Sequence, residues 1–265
     1  MVDWNRGSYE LTAAQSLPAA PLVLDAAEPV EGLDLLDLAC GTGNASLVAA
    51  GRGARVTGLD GAPRLLEVAA GRADSEDLQI DWIRGDFHQL PFAENSFEVA
   101  TSVFGLIFAE RPAEAAAEIA RVLTPTGRLT FSTWLDEGPI AGIQAIFERR
   151  LGDPLSRPDA KGDASSDSPP LDWGDRDQLR LLFADHGISI RCDRQALSMT
   201  AESPEAQNEA WFTQHPFWLE AADQLDDPGR DALREECLTE LRRANEDPSG
   251  FRISLPYLIA MGSPV

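Results

Sequence analysis

The feature that most constrains this chain is a short apolar run at residues 33–39 that passes directly into Asp37-Leu38-Ala39-Cys40-Gly41-Thr42-Gly43-Asn44, with a helical pattern over 45–51 close behind. A strand that turns into a helix through small residues lets the backbone approach a ligand closely. The helix that follows offers its N-terminus to an anionic group. A tight strand-to-helix turn with no ligand is the plainer reading of these residues taken alone.

The surrounding pattern favours a ligand. Residues 54–60, 78–84, 97–104 and 128–134 read as four further strands, with helical stretches over 63–72 and 112–123. Strand–helix alternation at this spacing predicts a mostly parallel sheet covered on both faces, and right-handed crossovers make it a doubly wound α/β domain. Asp60 ends the second strand, where a carboxylate can accept hydrogen bonds from both hydroxyls of a ribose. Gly85-Asp86-Phe87 follows the third strand. There a carboxylate can take the exocyclic amine of adenine while the next backbone N–H reaches a ring nitrogen. Any one of these acids could be a turn or cap residue. Three of them at the ends of neighbouring parallel strands predict one crevice.

After Trp134 the character changes. Residues 152–174 are rich in Asp, Pro, Ser and Gly and read as a linker. Residues 176–186 read as a helix stopped by Gly187, 188–200 as a sixth strand and 251–261 as the last strand. Residues 204–246 carry two helix-like stretches, with Pro228-Gly229 as the break between them. The expected organisation is an N-terminal helix and the cofactor half of the sheet in residues 1–135. Residues 136–265 hold the linker, the last strands and a helical cap over 203–247, and the two halves form one structural domain.

With these residues in view, the stretch 33–134 closely resembles the type-11 methyltransferase domain, a class I S-adenosylmethionine-dependent family related to the ubiquinone- and menaquinone-biosynthesis methyltransferases. Its carriers are the Asp37–Gly43 turn, Gly58-Leu59-Asp60, Gly85-Asp86 with Leu90-Pro91-Phe92, Ser96-Phe97-Glu98, and Arg121-Val122-Leu123-Thr124-Pro125-Thr126-Gly127. The resemblance implies a Rossmann-like sheet of seven strands whose last strand is antiparallel, and S-adenosyl-L-methionine as cofactor. It implies cofactor contacts from Tyr9, Asp37, Ala39, Gly41, Gly43, Asp60, Gly61, Asp86, Phe87 and Val103. Ala39, Glu98 and Thr126 depart from the usual glycine, aspartate and glycine of the family, and none of the three removes a cofactor contact.

Two other readings compete. In a nicotinamide dehydrogenase the third glycine of the fingerprint packs the helix against the strand beneath the pyrophosphate, and Ser46 stands there instead. A small-molecule-binding protein without catalysis could share the fold, because fold does not fix function.

Charge and composition narrow the acceptor. The net charge is −22, Lys161 is the only lysine, and enzymes acting on nucleic acid present a basic face. Neither an Asn-Pro-Pro-aromatic run after the fourth strand nor a Pro-Cys pair is present, so base methylation is not expected. The expected partner is a small-molecule acceptor, with neither nucleic acid nor membrane involved. Cys40, Cys192 and Cys237 lack any metal spacing and read as free thiols of a cytoplasmic protein, and no metal is expected. The start of the chain does not read as a signal peptide.

The acceptor wall is expected from Phe104, Phe108 and Trp134, closed by a lid made of the aromatic stretch 211–218. Trp211 and Trp218 would contact the acceptor, and His215 is the candidate general base; packing of this stretch as a plain cap is the competing reading. Trp4 and Tyr9 could close over the cofactor. His186 reads as a helix-end residue and His88 as a surface-loop residue.

Overall fold

The computed structural model describes residues 2–152 and 171–265. Most of the expected linker lies outside the described residues.

Seven strands form one sheet: β1 (Asp34–Leu38), β2 (Arg55–Asp60), β3 (Ile80–Arg84), β4 (Phe97–Val103), β5 (Leu123–Trp134), β6 (Ile188–Ala201) and β7 (Phe251–Pro264). Their order across the sheet is β3-β2-β1-β4-β5-β7-β6. The first five run parallel. β7 slots between β5 and β6 and is antiparallel to both. The expected doubly wound sheet with an antiparallel last strand is therefore present.

Two physical patterns separate the halves of this sheet. β1, covered on both faces, shows no in–out alternation: it is buried from Leu35 through Leu38, with Leu35, Leu36 and Leu38 fully so. At one edge of the sheet β6 alternates buried and exposed residues at its start and again from Leu197, as a strand with one wet face does, with an exposed run at 193–196 between.

Helices α1 (Glu10–Ser16), α2 (Ala19–Asp25), α3 (Asn44–Gly51), α4 (Pro63–Ser75) and α5 (Pro112–Val122) belong to the first half. α6 (Gly138–Leu151) was not anticipated from the sequence, although its proline at the first turn is an ordinary helix start. α7 (Arg176–Ala184) is capped by Asp175, whose side chain accepts the N–H groups of Asp177 and Gln178.

The cap differs from expectation in its count. Residues 204–246 form three helices: α8 (Pro204–Gln214), α9 (Pro216–Asp223) and α10 (Asp227–Ala244). Pro228-Gly229 is no break. It lies in the first turn of α10, where a missing N–H costs nothing, and Asp226 caps that turn by accepting the Gly229 N–H at 2.9 Å. The breaks fall at His215-Pro216 and at Leu225-Asp226.

The β6–β7 hairpin continues beyond the end of β5, from the Trp134–Tyr257 pair out to Ala201 and Phe251. On that extension the cap, α6 and the hairpin share one core containing Phe147, Trp211, Trp218, Leu233 and Tyr257. A second core lies under α5 and α7, and a third under α2 and α3. No helix among the described residues is long and apolar enough to cross a membrane.

Candidate functional site

The strand order reverses between β1 and β4, and the loops leaving these two strands press together. A Cβ on Gly105 would lie 2.6 Å from the Cβ of Ala39, so only glycine fits there. Ala39, Gly41 and Gly43 all take positive φ, at 50°, 55° and 84°. This alternation curls residues 39–43 tightly around the C-terminal end of β1. It opens a cavity of about 490 Å³ beyond the strand ends, within the range of small-ligand sites.

Eleven of the expected site residues line this one cavity: Tyr9, Asp37, Ala39, Gly41, Asp60, Gly61, Asp86, Phe87, Val103, Phe104 and Phe108. Gly43 stands behind it. Its Cα faces the Trp82 ring and Ala69, where a Cβ would come within 2.9 Å, so its smallness serves helix packing.

Each acid sits in a different electrostatic setting. Asp60 accepts the Gly41 N–H at 2.8 Å on one oxygen and the Ala62 N–H at 2.8 Å on the other. Burial raises its carboxyl pKa, against the opposing pull of these N–H groups. Asp37 is fully enclosed and accepts the Ser46 hydroxyl at 2.6 Å. Burial pushes its carboxyl up to about 7, with the hydroxyl opposing and Asp60 adding a like charge. Asp86 lies half exposed at the rim. Partial burial works against its charge, but the backbone and ring of His88 outweigh it and hold the carboxyl low. Cys40 also lines the cavity, and burial beside Asp37 and Asp60 keeps its thiol neutral.

The cover of the cavity is not the expected one. Trp211 and Trp218 stack on each other, with ring centroids 4.5 Å apart, inside the cap core and do not line the cavity. His215 does not line it either. The ring stands behind Trp4 and Tyr9, with centroids 5.9 and 5.4 Å away. Its Nδ1 accepts the Phe217 N–H at 3.2 Å, capping α9. The neutral ring then carries its proton on Nε2, so neither nitrogen is open as a base. Burial lowers its pKa to about 4. Trp134 stands one layer back, stacked on Phe104 at 3.8 Å between centroids.

Residues 2–9 form the cover instead, and Val2, Asp3, Trp4, Asn5 and Tyr9 all line the cavity. This strap is tied to the cap on one side. Asp3 N–H donates to Glu220 at 3.1 Å, Ser8 N–H donates to the Gln214 carbonyl at 2.8 Å, and Arg6 pairs with Asp223. On the other side Asn5 accepts the Arg64 N–H at the start of α4, and Glu10 pairs with the Arg64 guanidinium. Trp4 packs edge-on against Phe108 at 4.7 Å. Of these residues the sequence offered only Trp4 and Tyr9 as a cover for the cofactor; the polar ties between distant segments have no local signature.

The residues present fit an S-adenosyl cofactor. A Cβ added at Gly41 would project towards the cavity and meet nothing nearer than Tyr9 Cε1 at 4.0 Å, so backbone there is open to a ligand. Carboxylates wait at the ends of β2 and β3, and neither lysine nor arginine lines the space among the described residues. That suits a cationic sulfonium compound. A dinucleotide site fits less well: the Ser46 hydroxyl is spent on Asp37 beneath the turn.

Comparison with known proteins agrees. Residues 36–131 match the family described as the methyltransferase domain. An uncharacterised protein of Mycobacterium tuberculosis H37Rv is 32% identical over 197 residues, covering 74% of this chain and 69% of its own length. A demethylmenaquinone methyltransferase of Renibacterium salmoninarum is 34% identical over 179 residues, covering 63% of this chain and 71% of its own. A phosphoethanolamine N-methyltransferase of Haemonchus contortus, solved with S-adenosylhomocysteine, shares the fold with a TM-score of 0.58 at 16% identity, over 94% of this chain and 53% of its own. With the sheet order, the crevice at the switch point and this sequence kinship together, the chain belongs to the type-11 methyltransferase-domain family of S-adenosylmethionine-dependent enzymes.

Proposed function

We propose that this methyltransferase acts on a small-molecule acceptor seated between the cofactor and an apolar wall of Trp4, Phe104 and Phe108. The observation that carries the reading is the cover: residues 2–9 close the cavity opposite Phe108 and leave a space of about 490 Å³ for cofactor and acceptor together. A folded polymer would have to displace this strap.

When bound, S-adenosylmethionine supplies an activated methyl group, so the protein's own work is to align and to exclude water. In this reading Asp60 accepts the ribose hydroxyls, and Asp86 with the Phe87 N–H reads the adenine edge. Asp37 and the backbone of residues 39–41 hold the amino-acid end. Gly61 and Val103 shape the walls, and Tyr9 and Trp4 close the top. Aromatic faces from Trp4 and Phe108 suit a nearby sulfonium. No general base is assigned: burial holds the Tyr9 phenol up to about 12, and both nitrogens of His215 are committed. Orientation of an already nucleophilic acceptor carries the rate.

The test uses the full chain with methyl-labelled S-adenosylmethionine and two acceptor pools. A metabolite extract filtered below about 1 kDa, which keeps drug-sized ligands and removes polymers, is expected to take label. Mixed tRNA, rRNA and duplex DNA are expected to take none. Salt-sensitive labelling of nucleic acid would overturn the reading.

A further inference from the structure

His88 was expected in a surface loop, yet its side chain is only 6% exposed. The ring bridges two loops that line the cavity on different sides. Nε2 accepts the Arg111 backbone N–H at 3.2 Å, from the segment after β4. Nδ1 lies 2.6 Å from Asp86 Oδ1, on the loop after β3. These two contacts fix the tautomer. A nitrogen that accepts an N–H carries no proton, so the neutral ring holds its hydrogen on Nδ1 and donates it to Asp86. The His88 backbone N–H donates to the same oxygen at 2.8 Å. Oδ1 is thus doubly held. Among the described residues Oδ2 meets only the Arg111 guanidinium, at 3.9 Å.

We propose that His88 is a positioning residue for cofactor selection: by holding Asp86 Oδ1, it aims Oδ2 at the 6-amino group of the adenine ring and so makes the site choose adenine over a 6-oxo purine. The proposal rests on the reading of Asp86 as the adenine-binding acid. A carboxylate that is already a doubly engaged acceptor on one side presents on the other an oxygen with no hydrogen bond of its own, since the Arg111 guanidinium at 3.9 Å is beyond hydrogen-bond reach. It welcomes an amine and repels a carbonyl oxygen. A carboxylate free to rotate on a half-exposed rim could swing away from the carbonyl into water and lose the discrimination. His88 also stands between the adenine loop and the Arg111 segment, so the two walls are set by one ring.

The two contacts can be separated by substitution. Asparagine places its amide nitrogen near the Nδ1 position, and His88→Asn keeps the donor to Asp86 while losing the acceptor for Arg111. Glutamine reaches the Nε2 position, and His88→Gln keeps the second contact while losing the first. The measurement is calorimetric binding of S-adenosylhomocysteine and of S-inosylhomocysteine, its 6-oxo analogue, to the full chain. The wild type is expected to prefer the amine form by roughly 30-fold or more, the scale of one hydrogen bond to a charged group. His88→Gln is expected to lose the share of that preference that Asp86 supplies, measured as the fall seen in Asp86→Ala, and His88→Asn to retain it. Equal loss in both variants, or retention in His88→Gln, overturns the positioning role.

Asp86→Ala separates this failure from a failure of the underlying reading. A 6-oxo purine also carries hydrogen on N1, facing the Phe87 N–H, and that share of the preference is common to every variant; if Asp86→Ala keeps the whole wild-type preference, or the wild type has none, the adenine assignment of Asp86 falls and the proposal with it. If Asp86→Ala lowers the preference while His88→Gln keeps it whole, only the His88 inference falls. Nitrogen-15 shifts of the His88 ring in the wild type give a check that needs no variant to fold. A proton on Nε2 in place of Nδ1 would overturn the proposal.

Discussion

One oxygen of Asp60 accepts the backbone N–H of Gly41 at 2.8 Å, so the acid that ends β2 also holds the turn that ends β1. The other oxygen holds Ala62 at the start of α4. A single carboxylate therefore shapes the two loops that leave β1 and β2. Asp60→Ala is expected to weaken S-adenosylhomocysteine binding about 10- to 100-fold, the worth of a hydrogen bond to a charged acceptor. Titration calorimetry measures it. An unchanged affinity would remove Asp60 from the cofactor site.

Asp37 makes the cofactor-free protein sensitive to pH. Its folded carboxyl is raised to about 7, whereas the unfolded group titrates near its ordinary value of 3.8. Between these values the folded state holds a proton that the unfolded state has lost. Stability from this group is full below about pH 4 and declines as pH rises through about 7, by up to ~1.4 kcal/mol per pH unit. Asp37→Asn keeps an oxygen for the Ser46 hydroxyl and cannot ionise. In denaturant titrations at pH 5 and pH 8, the variant is expected to gain on the wild type at the higher pH. A constant difference between the two pH values would contradict the burial argument. On the proposed reading of Asp37 as a holder of the cofactor's amino-acid end, the same variant is expected to bind S-adenosylhomocysteine more weakly.

Gly7 seats the strap against the α8–α9 turn. Its φ is +64°, and an added Cβ would come within 2.1 Å of the Gln214 carbonyl oxygen. Gly7→Ala therefore combines a left-handed backbone, which costs an L-residue about 1–2 kcal/mol, with a clash against fixed backbone. The strap must lift from the α8–α9 turn. Faster dissociation of S-adenosylhomocysteine and new proteolytic cleavage within residues 2–9 are expected, while the sheet stays folded. Unchanged dissociation in stopped flow would show that the strap does not close the site.

His215 is expected to behave as a cap. His215→Ala leaves the Phe217 N–H without its acceptor and is expected to cost about 1 kcal/mol in thermal or chemical unfolding. Asparagine is a good N-cap residue, so His215→Asn is expected to restore stability and retain turnover once an acceptor is in hand. A roughly tenfold fall in kcat for His215→Asn, about 1.4 kcal/mol at the transition state, with cofactor affinity intact would restore the general-base role.

The legible part of the site was the part written locally. A strand ending in Asp37–Gly43, followed by acids at Asp60 and Asp86, carries its own turn chemistry, and parallel topology then brings the three strand ends together. The illegible part depended on which distant segment covers which face. The aromatic stretch at 211–218 announced that it would be buried, but apolar burial is non-directional. The structure spends Trp211 and Trp218 on Phe147 and the cap core.

The sequence by itself determined the parallel half of the sheet and its crevice, because strand–helix periodicity and turn residues act over a few positions each, and its resemblance to the type-11 domain supplied the cofactor class and the antiparallel last strand. Only the tertiary structure decided the cover and the second layer. The strap at residues 2–9 is held by residues more than 200 positions away, at Gln214, Glu220 and Asp223. His88 leaves the surface because the Arg111 N–H, 23 positions later, closes over its ring. Such contacts join segments that no local pattern links, and packing of the whole chain is what selects them.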